Sequence, residues 1–222
     1  MKSYQTIYET ALILNPDKDL ENILPKADLD EMLSARDDSW YLSTMSRRIF
    51  RAGLKHAMVD AKWPNFEKAY HNFDLDFVRT MSDEDLDVLM ANRLLIRHWG
   101  KIHSVRHNAS IMYEQLTKTS GFGHYLANWP SNNIVGLWQE IKKHYKQMGG
   151  YSVPYFLRMA GKDTFILTQD VIRALNRWGA YQGVPSSIKA KQQVQNVFNI
   201  LSEESGRELC QLSRILALSV NE

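Results

Sequence analysis

Apolar residues recur at three- to five-residue intervals along almost the whole chain of 222 residues. Two such series are Leu42, Met45, Ile49, Leu54, Met58 and Ala61, and Ile102, Val105, Ala109, Met112 and Leu116. This spacing places an apolar stripe on one face of a helix. No alternating run is long enough to require a β-sheet, and 11 Gly and 6 Pro are few for a turn-rich all-β protein. The sequence therefore predicts an all-α fold with two helical lobes in one compact body.

Proline and capping residues predict where individual helices begin and end. Pro64 disfavours helical backbone at Trp63, which predicts a turn there and a short helix over residues 65–72. Ser82 is followed by three acidic residues. A serine N-cap with acids in the first turn is typical of a helix start, because the helix dipole favours negative charge there. A further helix is expected directly after Ser82.

Composition excludes several classes of protein. Apolar residues make up 44% of the chain and charged residues 23%, values that are ordinary for a folded globular protein. No apolar run approaches the ~18 residues of a membrane span, and the N-terminus lacks a secretory signal. We therefore expect no membrane association and a cytoplasmic location. A single cysteine, Cys210, excludes an internal disulfide and any zinc site built on several thiolates.

Charge is distributed unevenly along the sequence. Residues 93–162 carry ten bases and two acids, whereas residues 1–40 carry nine acids and four bases. A basic block of this kind is typical of a surface that binds a polyanion such as a nucleic acid. Charge alone leaves open the alternative of an evenly solvated helical surface. The acidic residues 1–40 are expected to form a helical extension, with no function assigned.

A Gly-Gly pair in the basic block indicates a phosphate-binding turn. A basic helix predicted over residues 134–148 precedes Gly149 and Gly150, and Ser152 is expected to cap the next helix, which ends at Gly161. Such a turn exposes backbone N–H groups, and the second helix presents its positive N-terminus, so together they can hold a phosphate. The predicted contacts to the DNA backbone are Lys142, Lys143, Lys146, Gly149, Gly150 and Ser152. The alternative is a glycine-terminated helix followed by an ordinary capped one.

An acidic residue follows twenty positions after Gly150. Asp170 lies at the start of a helix predicted to begin near Thr168. This order resembles that of the helix–hairpin–helix DNA glycosylases, whose catalytic aspartate lies at a helix start beyond the hairpin. The resemblance implies a catalytic role for Asp170. The alternative role is stabilisation of its own helix dipole, worth ~0.3–1 kcal/mol, and the two roles can coexist.

A more specific resemblance covers roughly residues 40–178. The segments NFEKAYHNFD at 65–74 and IRHWGKIHSVRHNA at 96–109, with Ala-Gly-Leu at 52–54, resemble the signature of the 3-methyladenine DNA glycosylase I family. The resemblance implies a helix–hairpin–helix DNA glycosylase-like fold. It also implies base-excision repair by hydrolysis of the N-glycosidic bond of an alkylated, 3-methyladenine-like purine after base flipping. No lysine is placed for a Schiff base, so a monofunctional enzyme is expected.

The sequence departs from that family at its metal site and its base pocket. Members bind a structural zinc through two Cys and two His, but no Cys precedes Cys210 and Val171 replaces one His, so we expect neither metal nor cofactor. Arg48 aligns with the base-recognising glutamate, and His56 aligns with a pocket tryptophan. The expected pocket residues are Arg48, Arg51, His56 and the aromatic Trp40. An arginine would repel a cationic methylated base.

The sequence thus predicts a glycosylase that acts as a monomer on double-stranded DNA containing a damaged base. Its helical domain would cover residues 41–222, with the hairpin at about 134–161. One alternative is a non-catalytic DNA-binding protein or lesion sensor that retains the hairpin without the chemistry. Another is an all-α interaction domain with no nucleic-acid partner.

Overall fold

The computed structural model describes residues 1–220, which form fourteen α-helices and no β-strand. In chain order the helices are α1 (Tyr4–Leu14), α2 (Leu20–Ile23), α3 (Asp30–Ser34), α4 (Asp38–Arg51), α5 (His56–Ala69), α6 (Leu75–Thr80), α7 (Asp83–Ala91), α8 (Trp99–Thr119), α9 (Phe122–Asn128), α10 (Ile134–His144), α11 (Ser152–Met159), α12 (Gln169–Arg177), α13 (Ile188–Ser205) and α14 (Leu209–Leu218). Short 3-10 turns lie at His71–Phe73 and Ser131–Asn133. The prediction of an all-α chain is confirmed. Within these residues, no helix has the length and apolar character that crossing a membrane requires.

The described residues divide into two compact units. Unit 1 comprises residues 1–28, 130–138 and 161–220, and unit 2 comprises residues 29–129 and 139–160. Helix α10 contributes residues to both. The predicted boundary between an extension and a domain at residue 40 remains a prediction.

Unit 1 contains aromatic packing between segments that are distant in sequence. Helices α1 and α12 both pack against α14. Phe165 stacks on Phe198 with ring centroids 4.2 Å apart, and the Trp138 ring meets Phe165 at 4.8 Å. The indole N–H of Trp138 donates to the Thr164 hydroxyl at 3.1 Å, which satisfies a buried donor. Three buried rings thus anchor the unit.

The acidic N-terminal segment is bound to the same unit through one arginine. Arg207 pairs with Glu21 at 2.6 Å, and its guanidinium lies over the ring of Tyr8 at 5.2 Å. The hydrogen bond from Arg207 is the main cause of the lowered pKa of Glu21. These contacts give part of the acidic segment a structural role.

Unit 2 contains a run of aromatic rings in contact with one another. Phe50, Trp63, Phe66, Tyr70 and Phe73 contact one another with centroid distances of 4.5–6.4 Å. All five are buried. Helix α8 packs against α4, α6, α7 and α9. Its residues Ile102, Val105, Ala109 and Met112 form the predicted buried face, whereas Leu116 at its C-terminal end is exposed.

The predicted turn at Trp63 and Pro64 is wrong, because α5 continues through the proline. The chain breaks earlier, after α4, where Gly53 has a φ of +77°. A proline inside a helix costs roughly 3 kcal/mol. Trp63 and Phe66 flank the proline and are both buried, and burying each large apolar side chain contributes roughly 1.5–3 kcal/mol. Packing therefore outweighs the local preference.

The predicted end of the basic helix is also wrong. Helix α10 ends at His144 instead of continuing to Met148. The N–H of Lys146 donates to the side-chain oxygen of Asn108 at 2.8 Å, so it makes no helical bond four residues back. The next helix begins one residue earlier than expected, since Ser152 is its first residue and Tyr151 occupies the N-cap position.

Candidate functional site

The loop between α10 and α11 leaves several backbone donors open. Gly150 has a φ of +57° and Gln147 a φ of +62°, both in the left-handed region. The N–H of Ser152 donates to the carbonyl of Gly149 at 3.0 Å. In the described part of the chain, the N–H groups of Gly149, Gly150 and Tyr151 have no protein acceptor, and α11 starts without a side-chain cap. These amides and the positive helix end could together bind an anion.

Asn108 holds this loop from the middle of α8. Its amide oxygen accepts the N–H of Lys146, and its amide nitrogen donates to the carbonyl of the same residue at 3.2 Å. The side chain is fully buried. One residue earlier, a ring nitrogen of His107 lies 3.3 Å from the carbonyl oxygen of His144. Asn108 belongs to the motif found in the sequence, but its contact with a residue 38 positions away could not be deduced from the motif.

The lysines predicted to contact DNA differ from other members of the basic block. Lys142, Lys143 and Lys146 are all exposed. In contrast, Arg106 pairs with Asp83 at 2.7 Å. The unpaired positive charge of the block is therefore smaller than its composition suggests. The three exposed lysines shortly precede the open amides in the sequence.

Two of the three arginines on α4 share one carboxylate. Asp60 accepts from Nε of Arg47 at 2.9 Å and from Nε and Nη2 of Arg51 at 2.7–3.0 Å. The hydrogen bonds from Arg51 are the main cause of the lowered pKa of Asp60, with those of Arg47 next among the lowering causes. Arg51 also contacts the sulfur of Met159 on α11 at 3.7 Å. The structure thus gives Arg51 a carboxylate partner, which its predicted pocket role did not include.

Arg48 lies between these two arginines in sequence but has a different environment. Its guanidinium lies over the ring of Tyr155 on α11, 4.8 Å from the centroid. Its Nε is buried and, within residues 1–220, has no hydrogen-bond partner. Burial is the main cause of a lowered pKa for Arg48, and Arg51 lowers it further. Tyr155 was missed by the sequence analysis, because only the packing of α11 on α4 brings it to this position.

A second cation lies at the end of α4. The Lys101 ammonium donates to the carbonyls of Ala52 at 2.6 Å and Phe50 at 3.3 Å, so it satisfies carbonyls that the helix end leaves unpaired. Burial lowers the pKa of Lys101, and the charge of Arg48 lowers it further. The two cations are therefore close enough to repel each other.

The remaining predicted pocket residues lie on the surface. Trp40 is exposed on α4, with the Arg36 guanidinium 4.4 Å from its ring centroid and its ring perpendicular to that of Tyr41. His56 is the exposed first residue of α5. By contrast, Trp63 is buried, and its indole N–H donates to the Ser43 hydroxyl.

The predicted catalytic acid belongs to unit 1, whereas the loop between α10 and α11, helix α11 and the predicted pocket residues belong to unit 2. Asp170 lies in the first turn of α12, whose N-cap, Thr168, accepts the N–H of Val171 at 3.3 Å. The Asp170 carboxylate is half-exposed and pairs with Arg173 one turn later. It therefore has the helix-stabilising contacts that the structural alternative requires.

The histidines of α8 have separate environments. His98 caps the helix, and His103 lies against the ring of Trp99 with centroids 3.7 Å apart. Among residues 1–220, no group of three or more His, Cys, Asp or Glu side chains could hold a metal ion. The expectation of a metal-free protein stays a prediction.

Comparison with known proteins adds a family and a fold. A family model described as methyladenine glycosylase matches residues 32–150. DNA-3-methyladenine glycosylase 1 of Escherichia coli (strain K12) is 31% identical over 86 residues, which cover 35% of this chain and 46% of that protein. The match thus spans less than half the length of this relative.

Two solved structures are similar over more of the chain. A 3-methyladenine DNA glycosylase I from Staphylococcus aureus is 18% identical, with 64% of this chain and 83% of that chain covered and a TM-score of 0.52. The 8-oxoguanine DNA glycosylase of Methanocaldococcus jannaschii is 13% identical, with 96% and 91% covered and a TM-score of 0.58. At these identities the structures establish a shared fold.

Proposed function

Because the chain belongs to the methyladenine glycosylase family and has the helix–hairpin–helix DNA glycosylase fold, we propose that it is a base-excision repair enzyme. It hydrolyses the N-glycosidic bond between deoxyribose and a damaged purine in double-stranded DNA. Because its relatives are methyladenine glycosylases, the first substrates that we propose are alkylated purines of the 3-methyladenine type. The protein acts without a cofactor and as a monomer.

The open start of α11 is the observation that carries this proposal. Unpaired amides at a helix N-terminus bind phosphate without reading base sequence. Three exposed lysines precede these amides in the sequence and attract the negatively charged DNA backbone: Lys142, Lys143 and Lys146. A glycosylase needs such a grip, since flipping a base out of the duplex costs a few kcal/mol.

The chemical step requires stabilisation of positive charge on the sugar. As the bond from C1′ to the base nitrogen breaks, its electron pair leaves with the base. A water oxygen then bonds to C1′, and the proton that the water loses is taken up by solvent or base. We assign Asp170 to stabilise the sugar cation and orient this water, because a carboxylate performs both tasks. Without a Schiff-base lysine, the enzyme leaves the DNA strand intact.

A second candidate function is non-catalytic recognition of damaged DNA. One observation favours it: Asp170 is half-exposed and paired with Arg173. An ion pair of this kind contributes at most about 1 kcal/mol to stability. Stabilising α12 can therefore be the whole role of Asp170. This candidate predicts salt-dependent DNA binding without base release.

Base release from methylated duplex DNA separates the two functions. Free bases are measured by chromatography for the native chain, for Asp170→Asn, and for the control Glu203→Gln, which removes an exposed acid from α13 in the same unit. The proposal expects release by the native chain and the control, and a loss of at least about 100-fold for Asp170→Asn with unchanged DNA binding. Release by Asp170→Asn at the native rate would remove that residue from the mechanism. DNA binding with no release from any damaged duplex would favour the sensor.

A further inference from the structure

Unit 2 contains a cavity of about 330 Å³ that the proposed function does not use. Its walls come from the C-terminal half of α8, from α9 and from the end of α10, and every lining residue belongs to unit 2. No residue that we assign to DNA binding or to catalysis is among them. The volume lies within the roughly 300–1,000 Å³ that is typical of small-molecule sites. The cavity is therefore large enough for a small ligand.

Three aromatic side chains line this cavity. They are Tyr125 on α9, Trp129 at the C-terminal end of α9 and Tyr145 directly after α10. The rings of Tyr125 and Trp129 meet edge to face with centroids 5.7 Å apart. The buried ring of Phe122 contacts both tyrosine rings, also at 5.7 Å. This packing holds the tyrosine rings in place before a ligand binds, so little side-chain freedom is lost on binding.

The two tyrosines have hydroxyls without hydrogen-bond partners. Tyr145 is only 6% exposed, and within residues 1–220 neither its hydroxyl nor that of Tyr125 forms a hydrogen bond. Neither oxygen is among the polar atoms that are sealed from solvent without a partner, so a ligand in the cavity can reach both. A polar group that is nearly buried and unpaired is unfavourable, and a ligand that supplies the partner removes this penalty.

The charges around the two hydroxyls are negative. Burial, followed by the charge of Glu140, raises the pKa of Tyr125 to about 12. Burial is also the main cause of the raised pKa of Tyr145, followed by the charges of Tyr125, Asp38 and Glu114. Of the described side chains, no lysine, arginine or histidine lowers the pKa of either tyrosine. Both hydroxyls are therefore neutral at physiological pH and lie in a negative potential.

Glu114 and Glu140 supply two carboxylates at this cavity. Within residues 1–220, Glu114 forms no ion pair, and Glu140 pairs only with His144 at 3.4 Å, an interaction that requires a protonated histidine. Lys118 also borders the cavity but pairs with neither carboxylate. With His144 neutral, two carboxylates and one ammonium border the cavity, which favours a positively charged ligand.

We propose that this cavity binds a small planar organic cation of the amidinium or guanidinium class. Its N–H groups donate to Glu114 and Glu140 through charge-assisted hydrogen bonds, which are about twice as strong as neutral ones. Its flat face lies against Trp129 and Tyr125, whose rings attract a cation. The Tyr145 hydroxyl accepts a further N–H. This inference does not rest on the proposed function, because the ligand binds in the absence of DNA.

The test compares two probes of the same shape, the cation benzamidine and the neutral benzamide, by isothermal titration calorimetry. The proteins are the native chain, the double variant Glu114→Gln, Glu140→Gln, and Tyr145→Phe, which keeps the ring and removes the hydroxyl. The matched control is the double variant Glu84→Gln, Asp87→Asn, which removes two exposed acids from α7 of the same unit. Thermal unfolding verifies that every variant is folded.

The native chain is expected to bind benzamidine at least about tenfold more tightly than benzamide, because only the cation forms charge-assisted hydrogen bonds. The double glutamate variant loses about tenfold in benzamidine affinity and leaves benzamide affinity within about twofold. Tyr145→Phe weakens benzamidine binding about threefold, because one hydrogen bond is lost. The control on α7 remains within about twofold of native for both probes.

Four outcomes would overturn the proposal. The first is equal affinity of the native chain for the two probes, and the second is no detectable binding of benzamidine at millimolar concentration. The third is native benzamidine affinity in the double glutamate variant. The fourth is an equal loss of affinity in the control on α7, which would mean that benzamidine responds to the net charge of the protein and not to this cavity. All four are independent of base release, so they leave the proposed function untouched.

Discussion

Helices α11 and α12 both start after a loop, but their N-termini are in different states. Helix α12 is closed: Thr168 accepts an N–H of the first turn, and Asp170 adds negative charge there. Helix α11 is open, since Tyr151 at its N-cap makes no side-chain hydrogen bond. Both sequences carry residues that could start a helix. Every helix has an N-terminus, but an external anion can bind only where the first N–H groups are not already capped by a side chain. The missing cap therefore identifies α11 as the available N-terminus.

The two helix starts also differ in the charge around them. The open start follows the exposed Lys142, Lys143 and Lys146, whereas Asp170 and Arg173 at the closed start neutralise each other. A phosphate approaching α11 meets both donors and positive charge. At α12 the N–H of Val171 already binds the Thr168 hydroxyl. We therefore expect the start of α11 to bind the DNA backbone, and the start of α12 to carry Asp170 without binding a phosphate.

The largest effect is expected from removing the three lysines before the open start. The triple variant Lys142→Gln, Lys143→Gln, Lys146→Gln should bind duplex DNA ~100-fold more weakly at 0.15 M salt. The slope of log K against log salt should become about 2.7 less negative, because each phosphate contact contributes about 0.9. Fluorescence anisotropy titrations over a range of salt concentrations measure both quantities.

A control of equal charge distinguishes this local effect from loss of net charge. Lys118, Lys189 and Lys191 lie on α8 and α13, away from the hairpin loop in sequence. Replacing these three lysines by Gln should change the slope by less than about 1. A similar change of slope in both triple variants would mean that DNA affinity depends on the net charge of the protein and not on the lysines before α11.

An intermediate effect is expected at Asn108, which holds the loop in its open form. Asn108→Ala removes both hydrogen bonds to the backbone of Lys146. The free energy of unfolding should fall by about 2 kcal/mol. DNA affinity should fall about tenfold, because the amides would have to be ordered during binding. Chemical denaturation and anisotropy titration provide the two measurements.

Asn199→Ala is the matched control for that variant. Asn199 lies in unit 1, and its amide donates to the carbonyl of Asn132 at 3.0 Å. Its loss should lower stability while leaving DNA affinity unchanged. Equal losses of DNA affinity in the two asparagine variants would show that Asn108 affects binding only through general stability.

The sequence indicated a loop at Gly149 and Gly150 but not the contacts that hold it. Gly149 and Gly150 are recognisable because glycine permits the positive φ and the close approach that a phosphate needs. The prediction that α10 continues to Met148 was wrong. Asn108, which is far away in sequence, accepts the N–H of Lys146 that would otherwise have continued the helix. Periodicity describes one helix at a time and carries no information on such contacts.

The arginines of α4 illustrate the same limit for the site. Their spacing placed Arg48 and Arg51 in one expected pocket, but it could not show that Asp60 pairs with Arg51 while Arg48 lies over the ring of Tyr155. That distinction depends on how α5 packs against α4. The misplaced turn at Pro64 has the same origin, because the burial of Trp63 and Phe66 decided the course of α5.

The smallest effect on DNA binding is expected at the closed start. Thr168→Ala removes the side-chain cap of α12, which should lower the free energy of unfolding by about 1 kcal/mol. The melting temperature should fall by roughly 2–4 °C for a chain of this size. DNA affinity, measured by the same anisotropy titration, should remain within about twofold of native. The substitution exposes an amide in α12, but the negative charge of Asp170 in the same turn disfavours a phosphate there. A tenfold loss would show that the first turn of α12 also binds the DNA backbone and that a side-chain cap does not distinguish the two helix starts.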